Sequence, residues 1–380
     1  MNMKFTCTQE NLIQGLSVVS HITGKSINLP ILGNVLLKTD GGNLKLSATN
    51  LEMAISTVVR GKTDVEGEYT VPAKLFSDFV SLLPQGKVEL ELIEEGLRVG
   101  AQGQETIMRG LAATEFPLIP KLAKTKGVTF KAEDLRRAIG QVVFAVSSSE
   151  SRPELSGVAC WFGGKIGKKN VGLVATDSYR LAERVIEPSE DRGEQKLIVP
   201  SRTMLEIGRI LSSYKDELGV PETVEWITTE NQLVVSFGQT ELISRLIEGS
   251  FPDYQQIIPD QFKTQAVLDR AEFQKAVRAA SLFSRQGLYD IHLDFKPADG
   301  SLTIRSADQG TGKTSMTLTG DVTGEPTTLT VNYRYVSDGL AAITSPKIRL
   351  SLNDAMSPMM VLPEGEKIEA YRYLVMPIRQ

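Results

Sequence analysis

The feature that most constrains this 380-residue chain is that it repeats itself three times. A strand-like run ending in small residues and then Asn or Asp occurs at Leu46-Ser-Ala-Thr-Asn-Leu51, at Val174-Ala-Thr-Asp-Ser-Tyr-Arg-Leu181 and at Ile304-Arg-Ser-Ala-Asp308. Singly these are turn signals, because short polar side chains cap a turn and tolerate left-handed backbone. Their neighbours, however, match in the same order. Leu197-Ile-Val-Pro200 repeats Tyr69-Thr-Val-Pro72, Leu329-Thr-Val-Asn332 stands in the same place, and Phe116-Pro117, Phe251-Pro252 and Met376-Pro377 close the three passes. Val71 to Val199 is 128 residues and Val199 to Val331 is 132, while Pro117 to Pro252 is 135 and Pro252 to Pro377 is 125. A chain of this length holds several cores, and the constant period says that they are copies of one domain.

Each pass reads as strand, helix and several strands, twice over. Leu12, Ile13, Leu16 and Val19 fall at helical spacing, as do Leu75, Phe79 and Leu82 in the second half of the first pass; Val88, Leu90 and Leu92 alternate as a strand does. Leu135, Ile139, Val142 and Val146 mark the helix that restarts the pattern, and Phe273, Val277 and Ala280 the one after that. The fold class is therefore α+β, with three similar domains at 1–122, 127–259 and 264–380, each made of two helix-on-antiparallel-sheet halves. Asp40-Gly-Gly is a hairpin signal.

Composition removes several classes of function. No apolar run reaches the roughly 18 residues that a membrane span needs, and the start lacks the apolar core of a signal peptide, so a cytoplasmic protein with no membrane partner is expected. Cys7 and Cys160 lie far apart in strand-like surroundings and read as small core residues. With only His21 and His292, zinc or acid-base chemistry has few candidates. Gly310-Thr-Gly-Lys-Thr314 ends like a phosphate-binding loop, but Ala307 stands where the first glycine belongs and Ser315 to Thr319 alternates as a strand. A hairpin tip accounts for it. Trp161 and Trp226 read as packing residues, and no catalytic constellation is visible.

Charge is distributed unevenly. Across six expected helices, eleven basic residues (Lys74, Arg136, Arg137, Arg202, Arg209, Lys215, Arg270, Lys275, Arg278, Arg285 and Arg334) stand against seven acidic ones (Glu10, Asp78, Glu133, Asp134, Glu206, Glu272 and Asp338). That is +4 on the helices and -8 on the rest of a chain whose net charge is -4. Arg202 and Arg209 share a helix face by spacing, as do Lys275, Arg278 and Arg285. From charge alone these are ordinary solvated faces; the second reading is an electropositive surface fitted to a phosphate backbone.

Leu29-Pro-Ile-Leu-Gly-Asn34, Ala48-Thr-Asn-Leu-Glu-Met53, Ala175-Thr-Asp-Ser-Tyr-Arg-Leu181, Phe251-Pro-Asp-Tyr254 and Val375-Met-Pro-Ile-Arg379 jointly resemble the bacterial DNA sliding clamp, the beta subunit of the replicative DNA polymerase III. The resemblance covers essentially the whole chain. It implies a head-to-tail homodimeric ring around double-stranded DNA, helices inside and sheets outside, with no sequence readout, no cofactor, no metal and no catalysis. The helical charge then acquires a direction: Lys25, Lys74, Arg137, Arg202, Arg209, Lys215, Lys275, Arg278 and Arg285 are expected to face DNA. Polymerase, clamp loader and repair proteins are implied as partners, bound through short peptides of the Gln-x-x-Leu-Phe type in one groove. By matching position, one wall is Arg152, Leu155, Thr176, Ser178, Tyr179, Arg180, Leu181, Pro252, Gln256 and Ile257. The facing wall is Asn332, Tyr335, Met356, Pro358 and the tail Leu374, Val375, Met376, Pro377, Ile378 and Arg379. For the homodimer interface the resemblance points to the strand from Thr106 through Met108 to Leu111, meeting the helix near Leu282.

Overall fold

The protein's computed structural model describes residues 3–24, 29–120, 127–149, 151–190, 193–213, 221–367 and 370–379. The first repeat runs β1 (Lys4–Thr8), α1 (Gln9–Val19), β2 (Asn34–Asp40), β3 (Asn43–Thr49), β4 (Met53–Val59) and β5 (Lys62–Val65), then β6 (Glu68–Pro72), α2 (Ala73–Leu82), β7 (Lys87–Ile93), β8 (Gly96–Ala101) and β9 (Gln104–Met108). The second runs β10 (Val128–Lys131), α3 (Ala132–Val142), β11 (Gly157–Phe162), β12 (Val171–Thr176) and β13 (Arg180–Ile186), then β14 (Gln195–Pro200), α4 (Ser201–Ser213), β15 (Thr223–Thr228), β16 (Gln232–Phe237) and β17 (Thr240–Arg245). The third runs β18 (Thr264–Asp269), α5 (Arg270–Ser281), β19 (Asp290–Lys296), β20 (Ser301–Asp308), β21 (Gly312–Thr319) and β22 (Asp321–Gly324), then β23 (Thr327–Asn332), α6 (Tyr333–Ala342), β24 (Lys347–Leu352), β25 (Met359–Pro363) and β26 (Tyr371–Val375).

The two halves of a repeat are not separate. The opening strand of each half lies in the other half's sheet: β1 pairs with β7 and β6 with β2, β10 with β15 and β14 with β11, β18 with β24 and β23 with β19. All these pairings are antiparallel. Two strands joined by a helical crossover would be parallel neighbours, so in an antiparallel sheet the opening strand has to find its partner elsewhere.

Nor do the sheets stop at repeat boundaries. Residues 1–132 with 212–246 form one body and residues 133–211 with 247–380 another. The first body holds a five-stranded sheet, β5-β1-β7-β8-β9, and an eight-stranded one, β10-β15-β16-β17-β4-β3-β2-β6, in which β17 of the second repeat pairs with β4 of the first. The second body holds a nine-stranded sheet, β14-β11-β12-β13-β26-β25-β24-β18-β22, in which β26 of the third repeat pairs with β13 of the second, and a four-stranded one, β21-β20-β19-β23.

Local chemistry agrees with the elements. Gly41 and Gly42 carry φ of 56° and 84° between the paired Asp40 and Asn43, the left-handed pair that a two-residue hairpin requires. Thr8 caps α1, Asp269 caps α5 and Asn332 caps α6, each accepting a backbone N–H through its side-chain oxygen. Cys7 and Cys160 are buried and free, and Trp226 is fully buried with its ring edge-on to Phe130. One helix turns differently from its pattern. α2 buries Ala73, Phe76 and Val80 and leaves Leu75 and Leu82 exposed, so the expected Leu75-Phe79-Leu82 stripe is not the core face. That helix carries two apolar stripes, and spacing alone does not choose between them.

In the second body α6 approaches β26 closely. A Cβ on Gly339 would stand 2.1 Å from the ring of Tyr373, which is fully buried and donates its hydroxyl to the carbonyl of Tyr335 at 2.7 Å. Gly339→Ala must displace that ring or the helix. It is expected to cost about 1–3 kcal/mol as overpacking does, read as a lower urea midpoint of the full chain.

Candidate functional site

The repeated sequence signal is a turn capped by Asn or Asp, built alike in the first two repeats and one residue longer in the third. In the second repeat Asp177 Oδ1 accepts the backbone N–H groups of Tyr179 and Arg180 at 2.9 and 3.0 Å. Thr176 Oγ1 accepts the N–H of Ser178 at 3.1 Å and donates to the carbonyl of Arg180 at 2.6 Å. In the first repeat Asn50 and Thr49 make the same four bonds around Leu51 to Met53. Ser178 and Leu51 sit at φ 78° and 74°, left-handed values rare for residues with a side chain and held here by those bonds. Asp308 caps the third copy through Gly310 and Thr311, and Gly310 to Thr314 forms the tip of the β20–β21 hairpin. A cavity of about 340 Å³ lies beside the first turn, lined by Leu51, Met53, Pro117 and Leu118, and one of about 1050 Å³ beside the third, lined by Leu282, Arg285, His292 and Gly310.

The second copy carries the side chains of the expected groove. β13 pairs with β26 in the register Arg180 to Val375 and Leu181 to Leu374, and the Met376 N–H donates to the Tyr179 carbonyl at 2.8 Å. The Ile378 N–H donates to the Thr330 carbonyl at 2.8 Å, so the tail is tied down on both sides of Pro377. Tyr179 is 63% exposed and lies parallel to Tyr335, ring centres 6.4 Å apart. Ile257 and Met356 are exposed, Pro252, Pro358, Met376, Pro377 and Ile378 half-buried, and Gln256 and Arg379 exposed. Arg152 donates to Ser178 Oγ and to Glu154, both at 3.1 Å.

Arg180 is the most connected of these. Its guanidinium binds Asp177 Oδ2 at 3.0 Å, Asp338 of α6 and the Phe144 carbonyl at 2.8 Å, and lies 4.7 Å from the centre of the Tyr335 ring. Close contact with an aromatic face adds about 0.5–2 kcal/mol to what the ion pairs supply.

Leu155, Thr176, Leu181, Leu374 and Val375 are buried in the chain as it stands. Leu181 and Leu374 belong to one apolar cluster with Ala159, Trp161, Val174, Tyr254, Met360 and Leu362. Ser178, Tyr179, Gln256, Ile257 and Met356 are exposed, and Tyr335 and Met376 half-buried. Asn332 has its side-chain oxygen engaged by the Arg334 N–H as a helix cap.

Sequence reasoning missed the polar cluster beneath Gln256 and Ile257. Tyr254 donates its hydroxyl to Glu183 Oε1 at 2.6 Å, and Arg372 lies 3.5 Å from Oε2. Burial pushes the Glu183 carboxyl above its ordinary range, with Tyr254 and Arg372 opposing, and burial likewise raises the Tyr254 hydroxyl. Glu183 lies between Ala182 and Arg184 on β13 and no spacing signal links it to Tyr254; the pairing of β13 with β26 brings Arg372 opposite.

The basic residues divide. Lys74, Arg137, Arg202, Lys275 and Arg278 are exposed on α2, α3, α4 and α5. Arg209 instead bonds Glu206 on its own helix, Nη2 to Oε1 at 2.6 Å. α5 ends at Ser281, so Arg285 does not share a helix face with Lys275 and Arg278; it lies beyond the helix and binds the buried Asp290 through Nε at 3.0 Å. Lys25 and Lys215 lie outside the described residues. With Lys215 and Arg285 removed from the count, the six described helices carry nine basic residues against seven acidic ones. Of the interface residues, Met108 is 4% exposed and faces the core, because β9 ends there and its alternate residue, Ile107, points outward; Thr106 is half-buried and Leu282 71% exposed.

Among the described residues no cluster of His, Cys, Asp or Glu could hold a metal, and no helix is long and apolar enough to cross a membrane. Family models of the DNA polymerase III beta subunit match residues 3–120 as its N-terminal domain, 129–253 as its central domain and 255–379 as its C-terminal domain. The chain is 31% identical to the beta sliding clamp of Synechococcus elongatus over 383 residues, 99% of each chain. The crystal structure of the sliding clamp from Bacillus subtilis superposes with a TM-score of 0.91 at 26% identity, covering 100% of both chains. A sliding clamp from Pseudomonas aeruginosa bound to griselimycin gives 0.91 at 25% identity, again over 100% of both. Three repeats of this fold, with these sheets, define a DNA sliding clamp. The chain belongs to the DNA polymerase III beta subunit family.

The Arg285–Asp290 pair makes a prediction that separates support from DNA contact. Burial resists ionisation of Asp290, but Arg285 overcomes this and holds the carboxyl below the usual range. The stabilisation is therefore present above the unfolded value of about 4 and is lost as pH falls through the lower folded value. Arg285→Ala is expected to cost about 1–2 kcal/mol at pH 7, moderated because the arginine is half exposed. In urea titrations the difference from the unaltered chain should shrink toward pH 3.

Proposed function

We propose that two copies of this chain close head to tail into a ring around double-stranded DNA, and that the ring tethers a polymerase and other replication or repair proteins by their short peptides without catalysing a reaction. The three domains are taken as 1–122, 127–259 and 264–380. One observation carries the ring. The closing strands of the second and third repeats, β17 and β26, each pair with the fourth strand of the repeat before, β4 and β13. The closing strand of the first repeat, β9, and the fourth strand of the third, β21, are sheet edges. Pairing β9 of one copy with β21 of another completes the series, and a second such pairing closes it, as a heterologous contact with a closing rotation must.

The repeat also supplies the register. Ser244 faces Met53 and Val375 faces Arg180; carried to the open edges through the hairpins β8–β9 and β20–β21, it sets Thr106 opposite Thr314. Thr106→Cys combined with Thr314→Cys is expected to give a covalent dimer on gels without reductant, since Cys7 and Cys160 are buried. Monomer alone would sink this register.

For DNA, exposed Lys74, Arg137, Arg202, Lys275 and Arg278 suit phosphate contacts that position without reading bases. Arg209 and Arg285 are left out, being engaged by Glu206 and Asp290. Arg202→Glu with Lys275→Glu and Arg278→Glu is expected to shorten processive synthesis about tenfold in primer extension with the cognate polymerase and loader, with dimer mass unchanged. Unaltered product lengths would count against the assignment.

For partners, the surface of Tyr179, Tyr335, Ile257, Met356 and Met376 suits a peptide with apolar anchors, and Arg152 with Ser178 offers polar contacts at its rim. Removing residues 376–380 is expected to abolish co-elution of a fluorescent Gln-Ala-Asp-Leu-Phe peptide with the dimer.

A further inference from the structure

The turn that makes the proposed groove exists three times, yet its side chains are used for a bridge in only one of them. The residue three after the capping Asn or Asp is Met53 in the first repeat, Arg180 in the second and Thr311 in the third. The helices that open the second halves, α2, α4 and α6, all carry an acid at their sixth position: Asp78, Glu206 and Asp338. Glu206 is bonded by Arg209, three residues on along its own helix. The position three after Asp338 is Ala341, and Asp338 is bonded by Arg180. So the same acid serves its own helix in the second repeat and the neighbouring turn in the third.

We infer that Asp338, which lies outside the residues of the groove itself, is a positioning residue for peptide binding: through Arg180 it fixes the spacing between the two aromatic rings of the groove. The inference rests on the groove reading above. The guanidinium of Arg180 links the supports of both rings: it is bonded to Asp177, whose side chain holds the Tyr179 N–H, and it lies against the face of Tyr335. Asp177 and the Phe144 carbonyl hold the Nε and Nη2 sides of the fork, and Asp338 holds Nη1. Arg180 is 11% exposed, so an Nη1 group deprived of its carboxylate has little water to turn to. The fork then rotates toward solvent, and Tyr335 loses the cation beneath it. Tyr335 is fixed at its backbone by Tyr373, which leaves the ring as the part free to shift.

The test is anisotropy of fluorescein-labelled Gln-Ala-Asp-Leu-Phe on the full-length dimer, with thermal midpoints measured alongside. Asp338→Asn keeps the shape and removes the charge; it is expected to weaken binding about five- to twelvefold, the difference between a charge-assisted and a neutral hydrogen bond. Asp338→Glu is expected to restore binding to within about twofold, which a general loss of helix packing would not allow. Arg180→Met copies the first repeat's residue. Combined with Asp338→Asn, it should weaken binding no further than Arg180→Met alone, because both changes break one bridge. Binding by the unaltered chain together with an unchanged constant for Asp338→Asn overturns the positioning role and leaves the groove standing. Additive losses in the double variant overturn it as well. Absence of binding by the unaltered chain overturns the groove reading, and this inference falls with it.

Discussion

The proposed groove hangs on the backbone ladder between β13 and β26. It joins strands almost two hundred residues apart in sequence, from Arg180 opposite Val375 to Arg184 opposite Tyr371. Each ladder bond contributes only about 0.5–1.5 kcal/mol net, but the ladder fixes register, and register decides which face every side chain occupies. A slip by one residue would take Leu181 and Leu374 out of the apolar cluster and put Arg180 in their place. The tail beyond β26 continues the same path, with the Met376 and Ile378 N–H groups taken by Tyr179 and Thr330, so this stretch is built in rather than frayed.

Around that ladder the charged groups are arranged by depth. Glu183 and Arg372 face each other across it on the buried side, with Tyr254 supplying the hydrogen bond that a buried carboxyl needs. Arg180 lies at its outer end, where its three bonds come from two β-strand neighbours' turn, a 3-10 segment and a helix. These two ionic groups thus lie where elements from different repeats meet. Apolar contact alone would hold those elements together without fixing their angle, whereas a forked guanidinium has few acceptable geometries.

How much of this could be read from the chain follows from what kind of force makes each feature. The threefold turn was legible because its bonds run from a side chain to backbone two and three residues on, so the residue types that make it are adjacent in sequence. Caps and the Asp40-Gly-Gly hairpin were legible for the same reason. The exchange of opening strands was not, since nothing local marks which of two sheets a strand will join. The face of α2 was misread because Ala73, Phe76 and Val80 compete with Leu75, Phe79 and Leu82, both sets at helical spacing. A count of charge cannot see that Glu206 and Asp290 stand beside Arg209 and Arg285. Leu155 and Val375 were expected at a contact surface and lie beneath it, because matching a position says where the backbone runs and not how deep the side chain sits.

The open edges β9 and β21 also bear on how a single copy behaves in solution. An unpaired strand is a template for adhesion, and β9 and β21 are both edge strands of their sheets. Their composition blunts the hazard. β9 is five residues long and carries Gln104, Glu105 and Thr106, while β21 alternates Lys313, Ser315 and Thr317 outward. Such edges gain little from stacking on copies of themselves, which would set Glu105 against Glu105 or Lys313 against Lys313. Freshly made chains therefore have a reason to wait for the right neighbour rather than aggregate, and the polar character that makes each edge look weak is what keeps the unassembled protein usable.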